Sequence, residues 1–294
     1  MNMKLDKNTK ILIIGLGVIG GSYASALSEK GYEVSCITKE QRDIDYALER
    51  GMIKRGSSEV DRELIESADI IVFALYPGVF IEWIKENQHL ITPGTLITDV
   101  TGVKGSVVDT VQSILRPDVE FISAHPMAGR ERSGVEYSDP AVFVGANYIV
   151  TPTEKNTKEA IEICKELGRE LGFARISELS PEEHDKMIAF LSQLTHCIAV
   201  CLMTCNNTPS LERYTGDSFR DLTRIAKIND KMWSELFLMN KDALLREMDG
   251  FIDEVKAFRD MLAEGNSEGM REKMRQSTAK RSLFDKPKVS EEKL

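Results

Sequence analysis

The stretch that most constrains the fold is Lys10 to Leu27. Lys10-Ile11-Leu12-Ile13-Ile14 is a continuous apolar, β-branched run, the pattern of a strand buried on both faces. It leads directly into Gly15-Leu16-Gly17-Val18-Ile19-Gly20-Gly21 and then into a helix-forming stretch that Gly31 closes. A glycine-rich turn alone serves many purposes. Strand, glycines, helix and second strand in that order point to dinucleotide binding. In that arrangement Gly15 permits the tight turn, Gly17 lets the backbone approach a pyrophosphate, and Gly20 lets helix and strand pack closely. The phosphates then lie at the amino end of the helix, against Val18 and Ile19.

The second strand, Tyr32 to Thr38, is followed by Lys39-Glu40-Gln41-Arg42. A site for NAD usually ends this strand on an acid that accepts from the ribose 2′-hydroxyl, whereas a 2′-phosphate wants hydroxyls and cations. Thr38 stands where the acid is expected, with Lys39 and Arg42 close behind, which favours NADP; Glu40 keeps NAD open. Further strands are expected at Asp69–Leu75, Thr95–Val100 and Glu120–Ala124, with helical spacing at Val79–Gln88 and Gly105–Leu115. Strand and helix in alternation give an α/β fold, a Rossmann-like doubly wound parallel sheet. His125 follows directly on the strand ending at Ala124, at the carboxyl edge where such sheets bind ligands. A last strand, Asn147–Pro152, leads out of this part, and Thr153–Glu159 starts the next helix.

A chain of 294 residues suits two domains, divided here as a dinucleotide-binding domain over 1–152 and an all-α domain over 153–294. The net charge of −9 argues against nucleic acid or an anionic membrane as partner. The start is neither a signal peptide nor a membrane span. The five cysteines show no paired spacing, which suits a reducing, cytoplasmic setting and gives no metal site. Cys197, Cys201 and Cys205 recur every fourth residue and read as a core stripe of one helix.

From Pro181 the periodicity is helical. Ser180-Pro181-Glu182-Glu183 combines a serine cap, proline at the first position and glutamate three residues after the cap. The helix it opens carries Met187, Ile188, Phe190, Leu191, Leu194 and Ile198, with His184 near its start and His196 near its middle. Arg220 and Arg224, four apart, can present adjacent guanidinium groups to a carboxylate, or form an ion-pair ladder with Asp217 and Asp221. Phe237, Leu244, Phe251 and Phe258 recur every seven residues, a packing seam for a long helix, and predict a homodimer built on the helical half.

Taken together, Gly15–Ser22, Thr98–Lys104, Ala124–Gly134, the histidine-bearing helix around His196 and Phe219–Ala226 resemble, in that order, the prephenate and arogenate dehydrogenases. The resemblance runs from about Lys10 to about Leu262. It implies oxidative decarboxylation of a cyclohexadienol, prephenate or arogenate, in tyrosine biosynthesis. By position it implies that His125 accepts the ring hydroxyl proton, that Arg224 binds a substrate carboxylate with Arg220 as second cation, that His196 lines the pocket, and that Glu131 lies near its mouth. Many relatives carry a serine where this chain has Gly102, so the resemblance passes that hydroxyl role to Thr101. An acid near the substrate side chain would favour arogenate, and Glu131 and Glu136 are the candidates. Two alternatives stand beside this reading: a β-hydroxyacid-type dehydrogenase, which relies on a lysine of its helical domain, and a non-catalytic NADP-binding sensor.

Overall fold

The computed structural model describes residues 4–129 and 132–285. In chain order it gives β1 (Lys10–Ile14), α1 (Val18–Glu29), β2 (Glu33–Ile37), α2 (Gln41–Glu49), β3 (Arg55–Ser57), α3 (Arg62–Glu66), β4 (Ile70–Phe73), α4 (Pro77–Asn87), β5 (Leu96–Asp99), α5 (Gly105–Ile114), β6 (Glu120–Phe121) and β7 (Ser123–Pro126). There follow β8 (Asn147–Thr151), α6 (Lys158–Glu170), β9 (Arg175–Glu178), α7 (Pro181–Ile188), α8 (Thr195–Thr204), α9 (Asp217–Thr223), α10 (Asp230–Met239), α11 (Lys241–Ala263) and α12 (Ser267–Ser282).

Six parallel strands line up as β3-β2-β1-β4-β5-β6. The order reverses beside β1, as in a doubly wound sheet. β1 shows why its sequence is apolar throughout. Ile11 and Ile13 join the core on one face of the sheet, while Leu12 and Ile14 join the core on the other. Each such fully buried side chain stabilises the fold by about 1.5–3 kcal/mol. Two short strands escape the sequence pattern: β3, and β9 at the edge of a second sheet ordered β7-β8-β9.

The stretch expected as one strand at Glu120–Ala124 is two. β6 pairs with β5 in the parallel sheet, whereas β7 pairs antiparallel with β8, matching His125 with Ile149. His125 therefore sits within a strand of the second sheet instead of following the end of a parallel one. The α/β part also continues past 152. α6 buries Ala160, Ile163, Cys164 and Leu167 in the core that holds Tyr148 of β8, and β9 pairs with β8. The purely helical run begins at Pro181.

There the expected capping box is present, with Ser180 and Glu183 bonding reciprocally. α7 and α8 form one helix, Pro181–Thr204, through a π-helical stretch at Ala189–Leu194. It is long and apolar enough by composition to cross a membrane, yet only 28% of its most apolar window is buried. The cysteine stripe is not core: Cys197 is half-buried, and Cys201 and Cys205 are exposed. The seven-residue seam is split as well, because Asn240 ends α10 before α11 starts.

By internal contacts the chain divides into Met1–Leu244 and Leu245–Leu294. Within the second unit, α11 and α12 flank an apolar groove lined by Phe251, Val255, Phe258 and Leu262, with Lys273 ion-paired to Glu254.

Candidate active site

The carboxyl edge of the parallel sheet is set by register: Ile14, Phe73 and Asp99 end adjacent strands side by side. At the first, Gly15 adopts φ +97, where a Cβ would meet the Ala74 carbonyl oxygen at 2.5 Å. At Gly20 a Cβ would meet the Gly15 carbonyl oxygen at 2.0 Å. Both positions are therefore closed to any side chain. Gly17 differs, since nothing lies within 4 Å of its notional Cβ. It is the N-cap of α1, where no side chain caps the helix and no acid stands in the first turn. Open space beside uncapped N–H groups fits a dinucleotide pyrophosphate, with Val18 and Ile19 opening the helix.

Gly15 N–H is tied to Ile37 of β2, and Thr38 Oγ1 accepts from Leu16 N–H at 3.4 Å, so the glycine turn and Thr38 adjoin. The Thr38 hydroxyl keeps its own proton for a ligand. Lys39 and Arg42 are exposed, and Arg42 lies 3.4 Å from Asp43.

At the third strand end, Asp99 and Lys104 form an ion pair at 2.8 Å with both side chains fully buried. The pair anchors β7: Ala124 donates its N–H to Asp99 at 3.3 Å, and its carbonyl accepts from Lys104 Nζ at 2.6 Å. Ser123 Oγ also donates to Asp99. Side chains thus occupy the place of a neighbouring strand, which is why β6 and β7 part company. Thr101 belongs to the same cluster. Its hydroxyl, in a residue only 4% exposed, faces Asp99 Oδ2 and the Val103 carbonyl. A hydroxyl has one proton, and here it is directed at Asp99 Oδ2. At Gly102 an added Cβ would touch only Leu236, at 3.5 Å.

β7 presents His125 to α7. His125 Nδ1 lies 2.9 Å from His184 Nε2, and His184 Nδ1 lies 2.8 Å from Asp185 Oδ1. Asp185 also accepts from the N–H groups of Lys104 and Gly105, each at 2.8 Å, at the amino end of α5. Burial, then the adjoining His184 and Lys104, hold the His125 imidazole well below its usual range. Burial likewise lowers His184, against the pull of Asp185. Both rings are therefore neutral near pH 7. Asp185 accepts, so His184 carries its proton on Nδ1 and accepts through Nε2 from the Nδ1–H of His125. His125 Nε2 is then the nitrogen with a lone pair to offer.

The remaining expected residues gather elsewhere on the helical side. His196 Nδ1 faces the Ser192 carbonyl at 2.8 Å, and its ring stacks on Trp233, centroids 3.8 Å apart. α9 and the turn Arg224–Ala226 pack on α8, the helix of His196. Arg220 is ion-paired with Asp217 at 2.9 Å, one rung of the expected ladder. Glu131 lies outside the described residues.

Sequence reasoning gave no role to His184, Asp185, Asp99 or Lys104. The available signals were a histidine-aspartate pair beside a capping box, and a charged pair bracketing an otherwise apolar strand end.

A family profile described as prephenate dehydrogenase, nucleotide-binding domain, matches residues 23–177, and one described as prephenate dehydrogenase, dimerization domain, matches residues 180–276. The chain is 33% identical to prephenate dehydrogenase of Bacillus subtilis over 268 residues, covering 88% of this chain and 72% of the relative. It is 30% identical to cyclohexadienyl dehydrogenase of Zymomonas mobilis over 278 residues, covering 91% and 93%. A crystal structure of prephenate dehydrogenase from A. aeolicus, in complex with hydroxyphenyl propionate and NAD+, superposes with a TM-score of 0.87 at 29% identity, covering 97% of this chain and 100% of the other.

Proposed function

The chain belongs to the prephenate dehydrogenase family, and from that premise we propose how it works: His125 takes the ring hydroxyl proton during dinucleotide-dependent oxidative decarboxylation. The substrate is prephenate or arogenate, the two named for its relatives, and the reaction belongs to tyrosine biosynthesis. The observation that carries the reading is the engaged Nδ1 of His125, 2.9 Å from His184, which leaves Nε2 to accept. A neutral imidazole in a buried site is a suitable general base. When bound, the nicotinamide supplies the hydride acceptor. The residues around Gly15, Gly17 and Gly20 hold the dinucleotide, and loss of the ring carboxylate as carbon dioxide leaves an aromatic product.

Arg224 binds a substrate carboxylate, while His196, packed against Trp233 with the rings 30° apart, lines the pocket; Arg220 is the second cation. Thr38, Lys39 and Arg42, in place of an acid after β2, favour NADP, although the A. aeolicus structure holds NAD+. The α/β part is the dinucleotide-binding domain, and the helical part binds substrate and dimerises. The homodimer is supported by the match to a dimerization domain over 180–276 and by Phe190 and Leu191 standing 54% and 47% exposed in a single chain.

The test is initial rates with prephenate or arogenate against NAD or NADP. Turnover is expected in one cell, with kcat/KM favouring NADP by about tenfold, worth about 1.4 kcal/mol. His125→Ala lowers kcat by roughly 10²- to 10⁴-fold. No turnover in any cell with dinucleotide bound overturns the assignment. Full turnover by His125→Ala would transfer it to the β-hydroxyacid type, with a lysine as catalytic group.

A further inference from the structure

We propose that His184 and Asp185 are a positioning pair that fixes the tautomer of His125 and takes up its charge as the substrate proton arrives. The inference rests on His125 being the base. Its ground is the continuous line from Asp185 Oδ1 through both nitrogens of His184 to His125 Nδ1, with steps of 2.8 and 2.9 Å. His184, the middle of the line, is fully buried.

The pair is itself held rigid. Asp185 is bonded by the N–H groups of Lys104 and Gly105, and its carbonyl accepts from Asn240 Nδ2 at 2.9 Å. Asn240 in turn is bonded to Gln193 at 2.8 Å. Other charged groups also act on the two rings: Lys104, from the segment before α5, and Asp99, from β5. Those two are paired with each other, which leaves Asp185 as the carboxylate bonded directly to the line.

Proton movement along it is balanced. The substrate O–H bond breaks and its proton joins His125 Nε2. The proton already on His125 Nδ1 then shifts to His184 Nε2, while His184 keeps its Nδ1 proton bonded to Asp185. One positive charge enters and rests on the ring next to the carboxylate. In reverse, His184 Nε2 returns its proton to His125 Nδ1, and His125 Nε2 releases the substrate's proton to solvent once product has left.

An orienting group behind a histidine base is worth up to about 10⁴ in kcat. His184→Leu removes both the acceptor and the second ring, so kcat should fall about 10²-fold, with KM and dinucleotide affinity held within about twofold. His184 repels charge on His125 only once it is itself protonated; neutral, it accepts from the His125 imidazolium, so its loss should move the acid limb of the kcat profile to lower pH. His184→Gln keeps an acceptor oxygen for His125 Nδ1–H but cannot take a proton. It should recover about tenfold of the lost kcat and leave the acid limb low. If leucine at this buried site prevents folding, the acid limb of the glutamine variant decides. An acid limb unmoved in the folded variants, or leucine and glutamine losing kcat equally, overturns the proposal. Normal turnover by His125→Ala would instead remove the reading beneath it.

Discussion

The surroundings of His125 and the outer face of the helix Pro181–Thr204 are built on opposite terms, although α7 belongs to both. Around His125 every described polar partner is found within one chain: Asp99, Lys104, Thr101, Ser123, His184 and Asp185 satisfy one another and the backbone of β7. A few residues further along the same helix, Met187, Phe190, Leu191 and Met203 are 42–54% exposed. A buried charge tolerates no missing partner, because the low-dielectric interior offers no water in exchange. An exposed apolar face is merely left uncompensated until something covers it. The polar groups of the first region are satisfied within the chain, whereas the second is the face proposed to meet a second copy.

The contrast is broken most forcefully at Lys104. Lys104→Met leaves Asp99 buried without its cation, and the expected loss is about 3–5 kcal/mol, read from urea unfolding at fixed protein concentration. A loss below about 1 kcal/mol would mean that the network does not hold β7 as described. On the other face, Phe190→Asp should leave the α/β part folded while weakening self-association by about 2 kcal/mol, close to thirty-fold in dissociation constant. Sedimentation across a concentration series reads this, and an unchanged constant would put the dimer contact elsewhere.

The smallest effect is also the most specific to the dry region. His125 and His184 both have folded-state values below that of a free histidine. As pH falls through about 6.5, the unfolded chain binds protons that the folded chain refuses. Stability contributed by their neutral burial is present in full above that pH and drains away below it, by at most about 1.4 kcal/mol per pH unit for each histidine. The slope should shrink in His184→Gln. Equal slopes in the two proteins would mean that His184 is not buried neutral.

Much of the fold could be read ahead of the structure because its signals are local. The strand β1, the glycine turn and the capping box at Ser180 each depend on neighbours within a few residues, so pattern and propensity suffice. β3 and β9 were missed for the complementary reason: they are three and four residues long and have no fully buried residue, so no apolar alternation marks them. The cysteine stripe was misread because helical spacing tells which residues share a face but not whether that face is inside.

The site divides along the same line. His125, Arg224 and His196 could be singled out from segments whose resemblance to a family is carried by consecutive residues. The partner of His125 could not, since His184 lies 59 positions away and only the packing of β7 on α7 joins them. Thr101 shows the converse: position in sequence proposed a catalytic hydroxyl, and only the structure shows it buried beside Asp99. The sequence by itself determined the βαβ dinucleotide turn and the alternation of strand and helix that follows it, because each follows from short-range pattern, and the resemblance singled out His125, the proposed base. Tertiary structure decided which nitrogen of that base is free, which charges are sealed inside and which helix face remains open. Those depend on contacts between distant segments, where burial sets the energy of every polar group.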